Sequence, residues 1–261
     1  DLVKAGPLHL TPLQDFPAVA AGDSLGALIL SAITRQGFMP EPSSLVVIAQ
    51  KVVSKAEGRL ICLDSVKVTP GARTLAQETG KDDRLVTLIL QESKALIRVR
   101  PGLIIAEHRT GHILANAGID SSNVGVTDDE AGGHVLLWPE DPDASAKRLS
   151  SYLSEALGFA VPVVINDSLG RPWRMGTVGF AIGVSGFEPV WDQVGERDLD
   201  GRVMQVTAPA IADSLAAAAS LVQGETDQGQ PVVWVEGFHA RESGEATAGH
   251  LLRPVEQDMF R

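Results

Sequence analysis

The sequence predicts a mixed α/β (α+β) fold, and three observations carry that expectation. Apolar segments with helical spacing alternate with short strand-like runs towards both ends of the chain. A run of strand-like segments fills the middle, from Leu96 to Trp138. Apolar runs end on carboxylates, and no G-x-x-x-x-G-K-[ST] loop occurs, so neither a P-loop nor a Rossmann arrangement is expected.

The elements read in order as follows. Ala21-Gly-Asp23-Ser24 punctuates the start of a helix, in which Leu25, Leu28, Ile29, Ala32 and Ile33 recur at helical spacing until Gly37. Leu45–Ile48 is a short buried strand, followed by Gln50-Lys51-Val-Val-Ser-Lys55-Ala-Glu-Gly58-Arg59. Helices are expected near Ala72–Thr79 and Asp82–Gln91, the second favoured by acids at its positive end. Strands are expected at Leu96–Val99, Leu103–Ala106, His112–Ala115 and His134–Trp138, with a polar loop, Thr127–Gly133, before the last. Asp143 is expected to cap a helix whose apolar face is Ala146, Leu149, Leu153, Ala156 and Leu157. Strands at Val161–Ile165, Thr177–Val184 and Val203–Thr207, a helix at Ile211–Val222 and a strand at Val232–Val235 complete the pattern.

Composition bounds the function. The chain has 261 residues, a formal net charge of −11 and 44% hydrophobic residues, ample for one large domain or two small ones. An acidic balance lacks the basic footprint of a duplex-binding protein, so no nucleic-acid partner is expected; a small anionic ligand needs only a few local cations. A single cysteine, Cys62, excludes a disulfide framework and a multi-cysteine zinc site, and reads as a buried small hydrophobe. No apolar run reaches membrane-spanning length and no signal-peptide pattern opens the chain, so a cytoplasmic protein without a membrane partner is expected. The chain opens on Asp1 rather than Met, which suggests a short preceding piece.

Two segments carry the chemistry: Asn116-Ala-Gly-Ile-Asp120-Ser-Ser-Asn123 and Asn166-Asp167-Ser168-Leu-Gly-Arg171-Pro-Trp-Arg174. Each places a carboxylate where a strand should run out. Asp followed by Ser is also ordinary turn chemistry, because the side chain caps nearby amides. The apolar run Val163–Ile165 leading into Asn166-Asp167 favours a site, since ligands of open α/β sheets gather at carboxyl ends of strands. Strand-end carboxylates suit a hard divalent cation, and nearby cations suit phosphate, so the segments read together as a site for a metal nucleotide. Lys51, Lys55 and Arg59 offer further cations, or else form a solvated basic face. Gln223-Gly-Glu225-Thr-Asp-Gln-Gly-Gln230 joins a helix to a strand. H-E-x-x-H does not occur, and the histidines are scattered.

On Lys51–Arg59, Asn116–Asn123, Asp167–Arg174 and Leu221-Val-Gln-Gly-Glu225, the chain resembles the GTP-dependent coenzyme F420-0:L-glutamate ligases over nearly its whole length. It is also similar to the ligase half of two-domain actinobacterial enzymes, without their nitroreductase-like second domain. The resemblance implies a single ligase domain over 1–261 with two lobes, in an intertwined homodimer. It implies metal ligands at Asp120, Asp167, Ser168 and Glu225, with Mg²⁺ or Mn²⁺, and K⁺ as an accessory ion. It implies nucleotide contacts at Leu13, Gln14, Asp15, Phe16, Gln50, Lys51, Lys55, Asn123, Gln223, Gly224, Glu225, Thr226, Asp227, Gln228, Gly229 and Gln230. Some members carry Gln where Glu225 stands, and the stretch Val126–Gly133 is longer than in relatives.

The implied reaction is GTP-dependent addition of L-glutamate to F420-0 through an acyl phosphate, releasing GDP and phosphate. Lys55, Arg171 and Arg174 are the expected catalytic cations, the two arginines on charge alone. The residues leave two alternatives open: γ-glutamylation of another acceptor such as a folate, or a guanine-nucleotide-binding module without turnover.

Overall fold

The computed structural model describes residues 6–122, 124 and 133–259. In chain order the elements are β1 (His9–Pro12), α1 (Leu25–Gln36), β2 (Ser44–Ala49), α2 (Gln50–Ala56), β3 (Leu60–Cys62), α3 (Pro70–Thr79) and α4 (Asp83–Glu92). There follow β4 (Ser93–Arg100), β5 (Leu103–His108), β6 (Ile113–Ala115), β7 (His134–Leu136), α5 (Pro142–Leu157), β8 (Val163–Arg171), β9 (Arg174–Phe187), α6 (Ile211–Gln223), β10 (Val232–Glu236) and β11 (Glu242–Ser243). The fold is mixed α/β, as the segment pattern indicates. The chain divides into two compact units: residues 1–16, 26–49 and 142–253 form unit one, and 17–25, 50–141 and 254–261 form unit two. No described helix is long and apolar enough to cross a membrane.

Unit one is built on a six-stranded sheet in the order β1-β10-β2-β8-β9-β11. Its pairs are antiparallel except β2 with β8. Both faces of the central strands are covered, which is why Leu45–Ile48, Val163–Ile165 and Val232–Val235 read as unbroken apolar runs. Leu45, Val47, Val164, Val233 and Val235 meet Ala212, Ala216 and Ala219 of α6 on one face. The opposite face seats α5: a Cβ at Gly183 would lie 2.4 Å from the Pro142 carbonyl oxygen. Gly26 of α1 lets the ring of Tyr152 on α5 press against its backbone.

β9 takes one extra residue opposite the Ile165–Asn166 step, so Ile165 pairs with Gly183 and Asn166 with Ala181. The amides on either side of this bulge bond to helices. Ala181 N donates to Asp213 of α6 at 3.0 Å, and Val184 N donates to Asp143 of α5 at 2.8 Å. Asp143 also accepts from Ala248 N at 2.8 Å. Asp143 therefore lies inside the first turn of α5 and holds the sheet, where the sequence suggested a cap ahead of the helix. Residues 188–210 form an excursion with isolated bridges, Val190 to Ala210 and Arg197 to Val203, in place of the strand expected at Val203–Thr207.

Unit two packs α3 and α4 on the three-stranded sheet β4-β5-β6, around Ala72, Ala76, Val86, Ile89, Ile104, Ala106 and Ala117. Its helix ends are set locally. The Thr69 hydroxyl accepts from Ala72 N ahead of Pro70, Gly80 closes α3 at φ 71°, and the Asp82 carboxylate accepts from Arg84 N. β3 and β7 make a separate two-stranded ladder. Cys62, at the end of β3, is a free thiol and half-buried, not buried as expected.

Glu92, at the end of α4, is the charged centre of unit two. Its Oε2 accepts from Arg59 at 3.0 Å and Arg109 at 2.9 Å, with His108 Nε2 at 3.5 Å, the outer limit of a hydrogen bond. Burial pushes this carboxyl up, but hydrogen bonds from His108 and Arg109 and the charge of the two arginines outweigh it, leaving a pKa of about 2. Arg59 also donates to the Trp138 carbonyl at 2.8 Å and to Glu140. Its guanidinium holds unit two together; the sequence had offered it to phosphate.

Two outcomes follow from this packing. Glu92 titrates lower folded than unfolded, where the ordinary value is 4.5, so its contribution is complete above that value and is lost as pH falls towards about 2. The gap in urea midpoint between wild type and Glu92→Gln should therefore narrow between pH 5 and pH 2.5; a constant gap would contradict the ion-pair account. Separately, a Cβ at Gly179 would lie 2.4 Å from the Ala216 carbonyl. Gly179→Ala should cost about 1–3 kcal/mol of stability through displacement of α6, whereas an unchanged melting temperature would mean the helix is not seated there.

Candidate functional site

In unit one the site is made by the run of β8 past its parallel neighbour. β2 stops at Ala49, which pairs with Asn166. Val163, Val164 and Ile165 are fully buried, Asn166 is 4% exposed, and Asp167 and Ser168 are half-buried. Asp167 thus stands at the carboxyl end of the parallel pairing. The strand itself does not end there, because β8 and β9 continue as a hairpin to Arg171 and Arg174.

Alternation along β8 sorts the side chains. Asn166 pairs with Ala181 and Ser168 with Gly179, both positions facing α6, so Asp167 points to the opposite face. Ser168 Oγ donates to Glu225 Oε2 at 3.0 Å, while Asp167 Oδ1 accepts from Ser168 N at 2.8 Å. The sequence presented Asp167 and Ser168 as two adjacent oxygens. In the fold, the side-chain partner of Ser168 is Glu225.

Behind this pair lies an arrangement the motifs did not announce. Asn166 Nδ2 donates to Gln223 Oε1 at 2.8 Å and Gln223 Nε2 donates to Asn166 Oδ1 at 3.1 Å. The remaining amide hydrogens reach the Ala216 carbonyl at 3.4 Å and the Pro231 carbonyl at 3.2 Å. Gln223 is therefore turned inward and 8% exposed, so its side chain is committed to Asn166 instead of to a nucleotide. The available signal was Asn166 itself, a polar residue on the same side of the strand as core Val164.

The rest of the 223–230 loop is self-bonded. Gly224, at φ 71°, lies beneath the Gln228 side chain, and a Cβ there would come 2.3 Å from Gln228 Oε1. Gln228 Oε1 accepts from Thr226 N at 2.9 Å, and Thr226 Oγ1 lies 3.1 Å from Asp227 Oδ1. Asp227, Gly229 and Gln230 are exposed or half-buried along the same loop. At the other edge of the sheet, Leu13 is fully buried, and its N donates to the Val232 carbonyl at 2.8 Å. The Gln14 and Asp15 carbonyls accept from Arg35, and Gln14 N donates to Gln36, which fixes the turn before Phe16.

In unit two, Lys51 and Lys55 follow each other on α2. Lys51 Nζ lies 3.2 Å from Asp120 Oδ2 and donates to both the hydroxyl and the carbonyl of Ser122 at 3.2 Å. Burial, and then the charge of Lys51, lower the pKa of Lys55. Gln50 is 1% exposed, with Nε2 on Ser54 at 2.6 Å and on the Leu137 carbonyl at 3.4 Å. It is a core residue of this unit, where the resemblance implied a nucleotide contact. Asn123 lies outside the described residues, as does most of Val126–Gly133.

Arg171 and Arg174 face each other across the hairpin end, around Trp173 at φ 57° and 80% exposed. Arg171 lies four positions beyond Asp167, about 13 Å at a strand rise of ~3.3 Å per residue. The two arginines belong to a surface tip and not to the Asp167 cluster.

Among the described residues, no three His, Cys, Asp or Glu side chains gather as a ready metal cage. The donor chemistry nonetheless fits a hard divalent ion. Ser168 and Glu225 present a hydroxyl and a carboxylate 3.0 Å apart, a donor pair that leaves room for other oxygen ligands of such an ion.

The Lys51–Asp120 pair is 27% and 28% exposed, so its contribution to stability is below about 1 kcal/mol. Asp120→Asn and Lys51→Met should accordingly unfold at urea midpoints near that of wild type. A collapse of either variant would show that the pair is structural.

Comparison with known proteins shows the family. The profile of the family described as F420-0:Gamma-glutamyl ligase matches residues 14–237. Coenzyme F420:L-glutamate ligase of Methanothermobacter thermautotrophicus is 46% identical over 257 residues, covering 97% of this chain and 99% of that protein. The protein of the same name from Methanopyrus kandleri is 42% identical over 97% of this chain and 98% of its own. The Archaeoglobus fulgidus one is 37% identical over 97% of this chain and 96% of its own. With the family profile and full-length relatives in agreement, this chain belongs to the F420-0:gamma-glutamyl ligase family, whose members are carbon–nitrogen bond-forming ligases.

Proposed function

We propose that this chain joins L-glutamate to coenzyme F420-0, using GTP to activate the acceptor carboxylate. The relatives named for F420 and L-glutamate support the substrates. The observation that carries the chemistry is the Ser168–Glu225 oxygen pair, held at 3.0 Å where the β2–β8 pairing ends, with Asp167 beside it on the strand.

A carboxylate is a poor electrophile, so amide formation first needs a better leaving group. Transfer of the γ-phosphoryl group to an acceptor carboxylate oxygen gives an acyl phosphate and GDP. The glutamate amine then attacks the acyl carbon, the carbon–oxygen bond to phosphate breaks, and the amine proton goes to solvent. Such transfer asks the protein for positioning and positive charge more than for a nucleophile. Lys51 and Lys55 of unit two supply that charge, and a phosphate oxygen would compensate the cost that burial imposes on charged Lys55. Asp167, Ser168 and Glu225 in unit one would hold Mg²⁺ or Mn²⁺, and Asp120 is a candidate metal ligand in unit two. The ion would neutralise phosphate charge when bound. Arg171 and Arg174, at the hairpin tip, suit outlying anionic groups of a substrate. A homodimer and an accessory K⁺ complete the proposal; sedimentation at micromolar concentration tests the first and K⁺-dependence of turnover the second.

Incubation of the protein with GTP, Mg²⁺ or Mn²⁺, L-glutamate and either F420-0 or a folate, followed by mass spectrometry, tests the reading. Glutamylated F420 with GDP and phosphate is expected. Oxygen-18 placed in the acceptor carboxylate should appear in the phosphate. Glutamylated folate alone, GMP with pyrophosphate, or ATP serving as well as GTP would each overturn the corresponding part. Asp167→Asn should lose most turnover while staying folded, since the swap removes a charge with little change of volume.

A further inference from the structure

The Asn166–Gln223 pair has the geometry of a positioning device. Two primary amides close a ring of two hydrogen bonds, at 2.8 and 3.1 Å, in a place where water scarcely reaches either side chain. Their other hydrogens go to Ala216 on α6 and to Pro231 just before β10. All four amide hydrogens are spent. One interaction thus ties β8, the end of α6 and the approach to β10. Buried polar rings of this kind are worth most when complete, because losing one member strands the other's donors and acceptors away from water.

The ring sits within two residues of the oxygen cluster along both segments. Asn166 immediately precedes Asp167 and is two residues before Ser168; Gln223 is two residues before Glu225. Glu225 lies beyond the helix stop at Gly224, in the 223–230 loop, and no element of regular structure holds it. The ring is the last fixed point before that loop departs. It fixes the helix end from which Glu225 departs two residues later, on the side of the loop that faces Ser168 Oγ.

We propose that Asn166 and Gln223 are positioning residues, whose amide ring sets the separation of Ser168 and Glu225 and so the affinity of that pair for a divalent cation. The inference rests on the metal role given above to Ser168 and Glu225. Removing groups that orient metal ligands commonly costs about 10–100-fold in metal affinity, so a loss of about tenfold is expected here.

Mn²⁺ binding to the full chain, read from the free-ion electron paramagnetic resonance signal, tests it beside urea unfolding of the same samples. Asn166→Ala and Gln223→Ala should each weaken Mn²⁺ binding about tenfold. The double variant should be no weaker than either single one, because either change opens the ring. The exchange variant Asn166→Gln with Gln223→Asn, which keeps the summed length of the two side chains, should recover part of the affinity. If an alanine variant does not fold, Gln223→Met, which keeps the volume and removes the amide, takes its place. A purely structural role would lower the urea midpoint and leave Mn²⁺ affinity of the folded protein unchanged, and that result overturns the proposal. Glu225→Ala, which removes every side-chain oxygen, separates the underlying reading. If it binds Mn²⁺ like wild type, or wild type binds none, the metal role fails and the proposal with it. If Glu225→Ala loses Mn²⁺ and the folded amide variants do not, the positioning role alone fails.

Discussion

The bulge in β9 is the constraint on which unit one depends. One extra residue between Ala181 and Gly183 turns backbone amides away from their strand partners, and a buried amide without an acceptor costs about 1–3 kcal/mol. Two carboxylates meet that need, Asp213 for Ala181 and Asp143 for Val184, each from the first turn of a helix. Burial pushes the Asp213 carboxyl up in pKa and the bond from Ala181 N opposes it. The helices are therefore fixed along the sheet, and not merely pressed onto it. Glycine does the rest: Gly179 admits α6 and Gly183 admits α5 at distances no side chain would allow.

Fixing α6 at its first turn fixes its last. From Asp213 to Gln223 the helix advances about 15 Å at ~1.5 Å per residue, which delivers the Gln223 amide to Asn166, opposite the same bulge. The irregularity in one strand and the amide ring beside the oxygen cluster are the two ends of a single spacing. Bulges near functional sites commonly re-aim side chains in this way.

Much of this architecture was legible in the sequence because it is local. Thr69-Pro70, Asp82 and Gly80 mark helix ends through bonds made within a few residues, and the covered strands show as apolar runs. What was hidden depends on partners far along the chain. Val163–Ile165 identifies a strand but not its continuation to Arg171, which is decided by pairing with β9. Arg59 reads as a cation for phosphate or a solvated face, and Gln50 and Gln223 as implied nucleotide contacts; each is turned inward by an acceptor between 4 and 87 positions away, as Glu92, Trp138, Ser54, Leu137 and Asn166 show. Asp143 looks like a cap for the same reason: its second role requires Val184 and Ala248.

The order of strands in the six-stranded sheet also bears on how the chain comes to be folded. β1 lies against β10, and β2 lies between β10 and β8, so the first strands of unit one find their neighbours only after more than a hundred further residues. Unit two is mostly the continuous stretch 50–141 and has its partners close at hand. Contacts between residues distant in sequence form late, since the loop between them must be closed first. On a growing chain, unit two can settle while Leu45–Ile48 still waits, apolar and not yet flanked on both sides, for β8 and then β10 to be made. That waiting strand is the part of the molecule most open to the wrong neighbour, and the chain that protects it is the last to arrive.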